Sequence, residues 1–203
     1  LRITVSRGAG EIGLDPGLCP RATVVIMAKP LHPSPPVLSR DGVSLTVANT
    51  RRNLPEALSP QIKSTNFLNN ILAKRESIAA GTFDSLFLNW KDELTECTVS
   101  NLFFISGKTL HTPALDCGIL DGITRTIVMT LAQEEGVPVR EGHYHLADLQ
   151  RAEECFLTNT SMEIMPVNRV DSFAIGDGRP GSLTRRLQTR FADSRTRFLE
   201  PTS

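Results

Sequence analysis

Short strand-type patterns that end in turn residues recur along this chain and alternate with a few helical patterns. The clearest lies at 101–112, where two runs of β-forming residues flank a Ser-Gly-Lys turn, which is the signature of a hairpin. Helical patterns are rarer and occur at about 63–81, 123–135, 146–152 and 180–198. Strands that outnumber helices, with hairpins between the helices, predict an α+β domain with a mixed sheet and packed helices.

Composition narrows the class of partner. The chain has 203 residues, and its 22 acidic side chains balance 22 basic ones, so we expect neither a nucleic-acid nor a membrane partner. The apolar runs are too short to span a bilayer. The four cysteines are scattered without a CxxC pair, which predicts reduced thiols in a cytoplasmic protein, with no disulfide frame and no metal site.

The N-terminal segment is organised differently from the rest. Apolar and polar residues alternate over 1–7 in a half-buried strand pattern that no turn precedes, so we expect an upstream portion to be missing. A β-branched run at 22–28 predicts a buried strand. Four prolines between 30 and 36 predict a stiff connector.

The stretch at 62–76 contains the first candidate catalytic residue, Lys63. Apolar residues recur at helical spacing just after it, which predicts a helix that starts near Lys63 and buries the face formed by Phe67, Leu68, Ile71 and Leu72. A lysine at the edge of a core can lose solvation and present a nucleophilic amine. The ordinary alternative is a solvated lysine at a helix start.

Three further positions have polar groups suited to a bound ligand. The sequence Gly-Ile-Thr at 122–124 opens a helix, where free N–H groups and the helix dipole suit a phosphate, although a simply capped helix is the alternative. The cluster Thr-Asn-Thr-Ser at 158–161 is either a second wall for that anion or a polar turn. Glu96 lies between two strands and either faces solvent or is buried against a cation such as a ring nitrogen.

Taken together, these features describe one kind of chemistry. A lysine can form a Schiff base, a carboxylate can bind a ring nitrogen, and a helix start opposite a hydroxyl cluster can bind a phosphate. Pyridoxal 5'-phosphate requires that set of groups.

The chain resembles the fold-type IV pyridoxal-phosphate enzymes (class IV aminotransferases), which include branched-chain and D-amino-acid aminotransferases and aminodeoxychorismate lyases. The resemblance runs from residue 1 to about 190 and rests on five segments: 62–74, 94–103, 118–125, 156–167 and 176–181. It implies that 1–203 is mainly the cofactor-binding large domain of that fold. Residues 1–35 would then be the end of a small N-terminal domain, otherwise absent, and the interdomain linker.

The resemblance also implies roles for individual residues. Lys63 would form the Schiff base and move a proton to and from the substrate. Glu96 would keep the pyridine nitrogen protonated, and Leu120 would pack on one face of the ring. The remaining cofactor-binding positions would surround the phosphate, with backbone N–H groups and a hydroxyl on one side and polar groups on the other: Ile123, Thr124, Asn159 and Thr160.

The resemblance leaves the reaction open between two main alternatives. A lyase that releases pyruvate from 4-amino-4-deoxychorismate and leaves 4-aminobenzoate for folate synthesis is favoured by Asn159, where aminotransferases of the group carry Gly or Ser. Ile12 and Leu14 stand where D-amino-acid aminotransferases carry an Arg and a His. Phe67 stands near the pocket Tyr of the branched-chain enzymes, so an aminotransferase remains the alternative, and a truncated non-catalytic homologue is a third.

Other features have simpler interpretations. The resemblance implies a homodimer with pockets near the subunit interface. The Arg pair at 51–52 is interpreted as solvated, or else as lining a pocket for an acidic substrate. His143 and His145 are interpreted as surface or packing residues with only a weak hint of metal binding.

Overall fold

The computed structural model describes residues 1–197. The chain divides into two compact units, Leu1–Pro33 and a larger one that begins at Ser34. The assignment of 1–35 to the end of a small domain and a linker stays a prediction. In the described part of the chain, the structure contains no helix that is both long and apolar enough to cross a membrane.

The first unit is a two-stranded antiparallel sheet. Strand β1 (Arg2–Ser6) pairs with β2 (Thr23–Met27), with Arg2 opposite Met27. The strand predicted at 1–7 is confirmed. The burial predicted for 22–28 is wrong, since every side chain of β2 is exposed. A ribbon of two strands has no second layer of its own to cover it.

The second unit is built on a nine-stranded mixed sheet. Its strands are β3 (Val43–Val47), β4 (Asp84–Leu88), β5 (Leu94–Cys97), β6 (Asn101–Ser106), β7 (Thr109–Pro113), β8 (Val139–Gly142), β9 (Glu154–Asn159), β10 (Glu163–Val170) and β11 (Phe173–Ala174). The order is β11-β10-β3-β4-β5-β6-β7-β8, and β9 pairs with both β10 and β6. Strands β3, β4, β5, β6, β9 and β10 therefore form a closed circuit of hydrogen-bonded neighbours, which the sequence patterns did not predict.

Two apolar cores flank these strands. One includes Leu45, Leu86, Leu102 and Leu157, all fully buried. The other lies where the helices cover the sheet, and Phe103 and Phe156 stack there with ring centroids 5.1 Å apart. The helices are α1 (Pro36–Asp41), α2 (Leu68–Ala80), α3 (Ile123–Glu134), α4 (Leu146–Gln150) and α5 (Ser182–Ser194).

The predicted helix boundaries need three corrections. Pro36 begins α1, where a fixed φ and a missing N–H are tolerated, so the proline connector is partly helical. Helix α5 ends at Ser194, and the predicted end at Phe198 lies outside the described residues. Lys63 does not start a helix, because α2 begins only at Leu68 and Lys63 lies in the irregular segment before it.

The predicted buried face of α2 is also wrong. Phe67, Leu68, Ile71 and Leu72 are all exposed, and the helix instead buries small side chains, including Ala73. Small residues let the helix backbone approach strand β4 closely, and the Ser85 hydroxyl of that strand donates to the Ala73 carbonyl at 2.7 Å. The apolar residues consequently face outward as an uncovered patch, called the α2 face below.

Candidate active site

All seven residues predicted to act at a site line one cavity of about 560 Å³ in the second unit. The ends of β5, β6 and β9, the start of α3 and the irregular segment before α2 form its walls. The seven are Lys63, Glu96, Leu120, Ile123, Thr124, Asn159 and Thr160. Their individual roles remain predictions, but the fold brings them together.

Glu96 lies on β5 and is 5% exposed. One of its carboxylate oxygens accepts a hydrogen bond from Arg52 Nη2 at 2.6 Å. The other accepts from the Leu120 N–H at 3.1 Å and from the Asn101 amide at 3.2 Å. Burial raises the pKa of Glu96 to about 7, although Arg52, the Leu120 N–H and Lys63 all oppose that rise.

Arg52 is a further residue of the cavity wall, and its environment was not evident from the sequence. It is buried and lines the cavity, so the solvated alternative is wrong for Arg52, and a position in the pocket lining is what the structure shows. Its Nε donates to the Gly118 carbonyl at 3.2 Å, and its guanidinium lies 5.3 Å from the centroid of the Phe87 ring. Arg51, by contrast, is exposed and pairs with Asp92 at 2.6 Å. The sequence contained only an indirect signal for the burial of Arg52, because a buried Glu96 requires a cation beside it.

Lys63 forms the opposite side of the cavity. Its side chain is exposed. The described residues therefore do not desolvate the Lys63 amine, contrary to the expectation for a lysine at the edge of a core. Short turns shape its segment, since the N–H of Ile62 donates to the Ser59 carbonyl at 3.1 Å and that of Ser64 to the Ile62 carbonyl at 2.8 Å. The Lys63 charge is close enough to Glu96 to favour ionisation of its carboxyl.

The start of α3 provides the anion-binding end. Gly122 is the N-cap and offers no side chain to the first turn, so the N–H groups of Ile123 and Thr124 lack a side-chain cap. A β-carbon at Gly122 would lie 2.1 Å from the Asn101 side-chain oxygen, which explains why glycine stands there. Thr124 is buried and Ile123 is exposed, and both line the cavity.

The turn after β9 closes this end. The Asn159 amide donates to the Val99 carbonyl at 3.2 Å, and its oxygen accepts the N–H groups of Ser161 and Met162 at 2.9 and 2.8 Å. Asn159 therefore fixes the turn that presents Thr160. Nearby, the buried hydroxyls of Ser100 and Thr158 line the cavity and have no hydrogen-bond partner within residues 1–197.

These groups fit pyridoxal phosphate. Among the described residues, two buried hydroxyls without a hydrogen-bond partner and the uncapped N–H groups of α3 can bind a phosphate. Glu96 is a buried carboxylate that can accept a ring N–H, and Leu120 is an apolar residue of the same cavity. The fold and the cavity therefore match the cofactor-binding domain of the fold-type IV pyridoxal-phosphate enzymes. Comparison with known proteins agrees: the sequence profile described as "Amino-transferase class IV" matches residues 1–170, and the chain belongs to that family.

Relatives within the family differ in their named reactions. A Methanocaldococcus jannaschii protein, named provisionally as a branched-chain-amino-acid aminotransferase, is 38% identical over 98% of this chain. An aminodeoxychorismate lyase of Bacillus subtilis is 33% identical over 93% of it. The chain spans 68% and 62% of their respective lengths.

A solved structure supports both the fold and the cofactor. The pyridoxal-phosphate form of the branched-chain amino acid aminotransferase of Thermobaculum terrenum superposes with a TM-score of 0.75 and 31% identity. The match covers 79% of this chain and 53% of that one. The fold class predicted from the sequence is confirmed.

Proposed function

We propose that this chain contains the cofactor site and part of the substrate site of a pyridoxal-phosphate-dependent aminotransferase for branched-chain amino acids. The observation that carries the proposal is the distribution of charge in the cavity. Within the described residues, two cationic side chains line the cavity. Arg52 is paired with Glu96, and Lys63 is the predicted catalytic amine. The surface left for a substrate side chain is largely apolar and includes Ile62, Phe67 and Val99.

The residues divide the work between the two ends of the cavity. The cofactor, when bound, supplies an electron sink for the carbanion that forms at the substrate Cα. Lys63, on the open side, would take the proton from the Cα of the donor amino acid and would later deliver a proton to the Cα of the product amino acid. The N–H groups at the start of α3 and the hydroxyls of Thr124 and Thr160 would bind the phosphate.

Glu96 would accept a hydrogen bond from a protonated ring nitrogen and so keep the proton on that nitrogen. With a pKa of about 7, its carboxyl would be partly protonated at neutral pH when no ring nitrogen lies beside it. A protonated ring nitrogen beside it favours the ionised form, as Arg52 does. Arg52 thus keeps negative charge on Glu96, and Glu96 keeps positive charge on the ring.

The lyase reaction favoured by the sequence is the second candidate. It is supported by Asn159, which shapes the turn beside the cavity, and by the similarity to the Bacillus subtilis lyase.

Two assays run side by side test the choice. We expect amino transfer from leucine, isoleucine or valine to 2-oxoglutarate, with D-alanine as the comparison donor. Release of pyruvate from 4-amino-4-deoxychorismate without amino transfer would replace the first proposal by the second. Uptake of pyridoxal phosphate is measured by the visible absorption of the bound cofactor. A protein that does not take it up would instead be the non-catalytic homologue.

We further propose a homodimer in the cytoplasm. The α2 face supports a second copy as its cover, since its four apolar side chains are all exposed and one of them, Phe67, also lines the cavity. All four cysteines are free thiols, as is common in reducing compartments. Light scattering should report a dimer that dissociates in Leu68→Glu but not in Trp90→Glu, an exposed aromatic residue outside this face. A monomeric wild type would refute the dimer.

A further inference from the structure

A second group of reactive side chains lies outside the cavity. Glu93, Cys117 and His143 converge so that one ligand atom from each lies within 4.8 Å of the other two. The distance from Cys117 Sγ to His143 Nδ1 is 3.5 Å, and from that nitrogen to Glu93 Oε1 it is 3.1 Å. We call these three residues the thiol cluster.

Strand pairing sets this convergence. Glu93 immediately precedes β5, Cys117 ends a short 3-10 turn after β7, and His143 follows β8. The N–H of Leu94 donates to the Tyr144 carbonyl, which joins the start of β5 to the segment after β8. The three side chains come from separate parts of the sequence, but their backbones are fixed by the sheet.

The geometry does not suit a catalytic proton relay from Glu93 through His143 to the thiol. A relay uses the two ring nitrogens of a histidine for different partners, whereas Glu93 and Cys117 both approach Nδ1. Cys117 is also buried, and burial, reinforced by Glu93, raises the pKa of its thiol to about 11. A buried, protonated thiol is a poor nucleophile.

The distances suit a tetrahedral metal ion instead. Zinc bonds of ordinary length to sulfur, nitrogen and oxygen give tetrahedron edges of about 3.3–3.6 Å, close to the observed 3.5 and 3.1 Å. The mixture of thiolate, imidazole and carboxylate is typical of zinc. His143 is partly exposed, which leaves a path for the ion and room for a water as fourth ligand.

The surrounding groups orient these ligands in the way metal sites require. His143 Nε2 lies 3.3 Å from a carboxylate oxygen of Asp116, which would hold the proton on that nitrogen and leave the Nδ1 lone pair free. The other oxygen of Glu93 accepts a hydrogen bond from Asn89 at 2.7 Å, so Oε1 remains available.

We propose that Glu93, Cys117 and His143 bind one Zn²⁺ ion, with release of the thiol proton to solvent. This departs from the expectation drawn from cysteine spacing, because the ligands come from three separate segments. The ion would stabilise the loop that leads to the cavity: Asn89 also donates to the Cys117 carbonyl at 3.2 Å, and Arg52 to the next carbonyl, that of Gly118.

The test uses the full chain, stripped with a chelator and kept reduced with a non-thiol reductant. Titration with Co²⁺ should give a sulfur-to-cobalt charge-transfer band that saturates at one equivalent, and Zn²⁺ should abolish it. Cys117→Ser and His143→Asn should abolish the band. The matched controls Cys19→Ser and His32→Asn, which change a cysteine and a histidine outside the cluster, should leave it unchanged.

A milder variant tests the proposal even if Cys117→Ser does not fold. Asp116 is largely exposed, so Asp116→Asn should fold normally and weaken Zn²⁺ binding by about 10–100-fold, measured by calorimetry. Absence of a thiolate band in the wild type, or Zn²⁺ affinity unchanged by Asp116→Asn, would overturn the proposal. Neither readout depends on activity, so a failure here is separate from a failure of the proposed reaction.

Discussion

Two walls of the cavity are built in opposite ways. The carboxylate wall, formed by Arg52, Glu96, Asn101 and the Leu120 N–H, is buried, and both oxygens of its central carboxylate are hydrogen-bonded. The lysine wall, formed by residues 59–67, is irregular and mostly exposed, and its key side chain is Lys63.

The difference follows from what each wall has to do. A charge that stays in one place in a low-dielectric site must be surrounded by partners, because an unpaired buried charge is costly. An amine that moves a proton to and from a substrate needs access and freedom to move. The carboxylate wall should therefore govern stability, and the lysine wall activity.

The largest expected effect is that of Lys63→Ala. Loss of the amine should lower the rate of amino transfer by about 10²–10⁴-fold or more, the range for a positioned proton-transfer group. Stability should change by no more than about 0.5 kcal/mol, since the residue is exposed. Kinetics and urea denaturation measure the two. A strongly destabilised Lys63→Ala protein would break the contrast between the walls.

The next largest effect is on stability. Arg52→Met removes one member of a buried ion pair and should cost about 3–5 kcal/mol. Its neighbour provides the matched control: Arg51→Met loses only an exposed pair and should cost at most about 1 kcal/mol. The double variant Arg52→Met with Glu96→Leu should recover much of the loss. Equal costs at positions 51 and 52 would contradict the burial of Arg52.

A smaller effect is expected at the anion-binding end. Gly122→Ala places a β-carbon against the Asn101 side-chain oxygen and should cost about 1–3 kcal/mol. Adding Asn101→Ala should cost less than the sum of the two single changes, because the clash is relieved. Additive costs in thermal denaturation would show that the two residues do not interact.

The last comparison concerns the pH dependence of stability without cofactor. The folded chain favours protonated Glu96, with a pKa of about 7 against an ordinary 4.5, so it binds more protons than the unfolded chain between these values. The contribution of Glu96 to the free energy of unfolding should therefore fall as pH rises from 4.5 to 7 and then level off. We expect the difference between wild type and Glu96→Gln to follow this course. A flat difference would show that burial does not raise the pKa.

Much of the scaffold around this site could be predicted from local patterns. Hairpin signals placed β6 and β7, and helical periodicity with a following glycine placed α3. These features depend on residues a few positions apart, so short-range rules suffice for them. The seven candidate residues followed from motif resemblance, and the cavity they share was not visible in any pattern.

The sequence by itself determined which groups were available: an amine, a carboxylate, an uncapped helix start and a hydroxyl cluster. Only the tertiary structure decided their environments. It buried Arg52 against Glu96, 44 positions away, closed six strands into a circuit through β9, and turned the apolar residues of α2 outward. Burial and charge pairing depend on contacts with residues that are distant in sequence. Periodicity shows only which side chains share a face of a helix or strand, and it does not show what packs against that face.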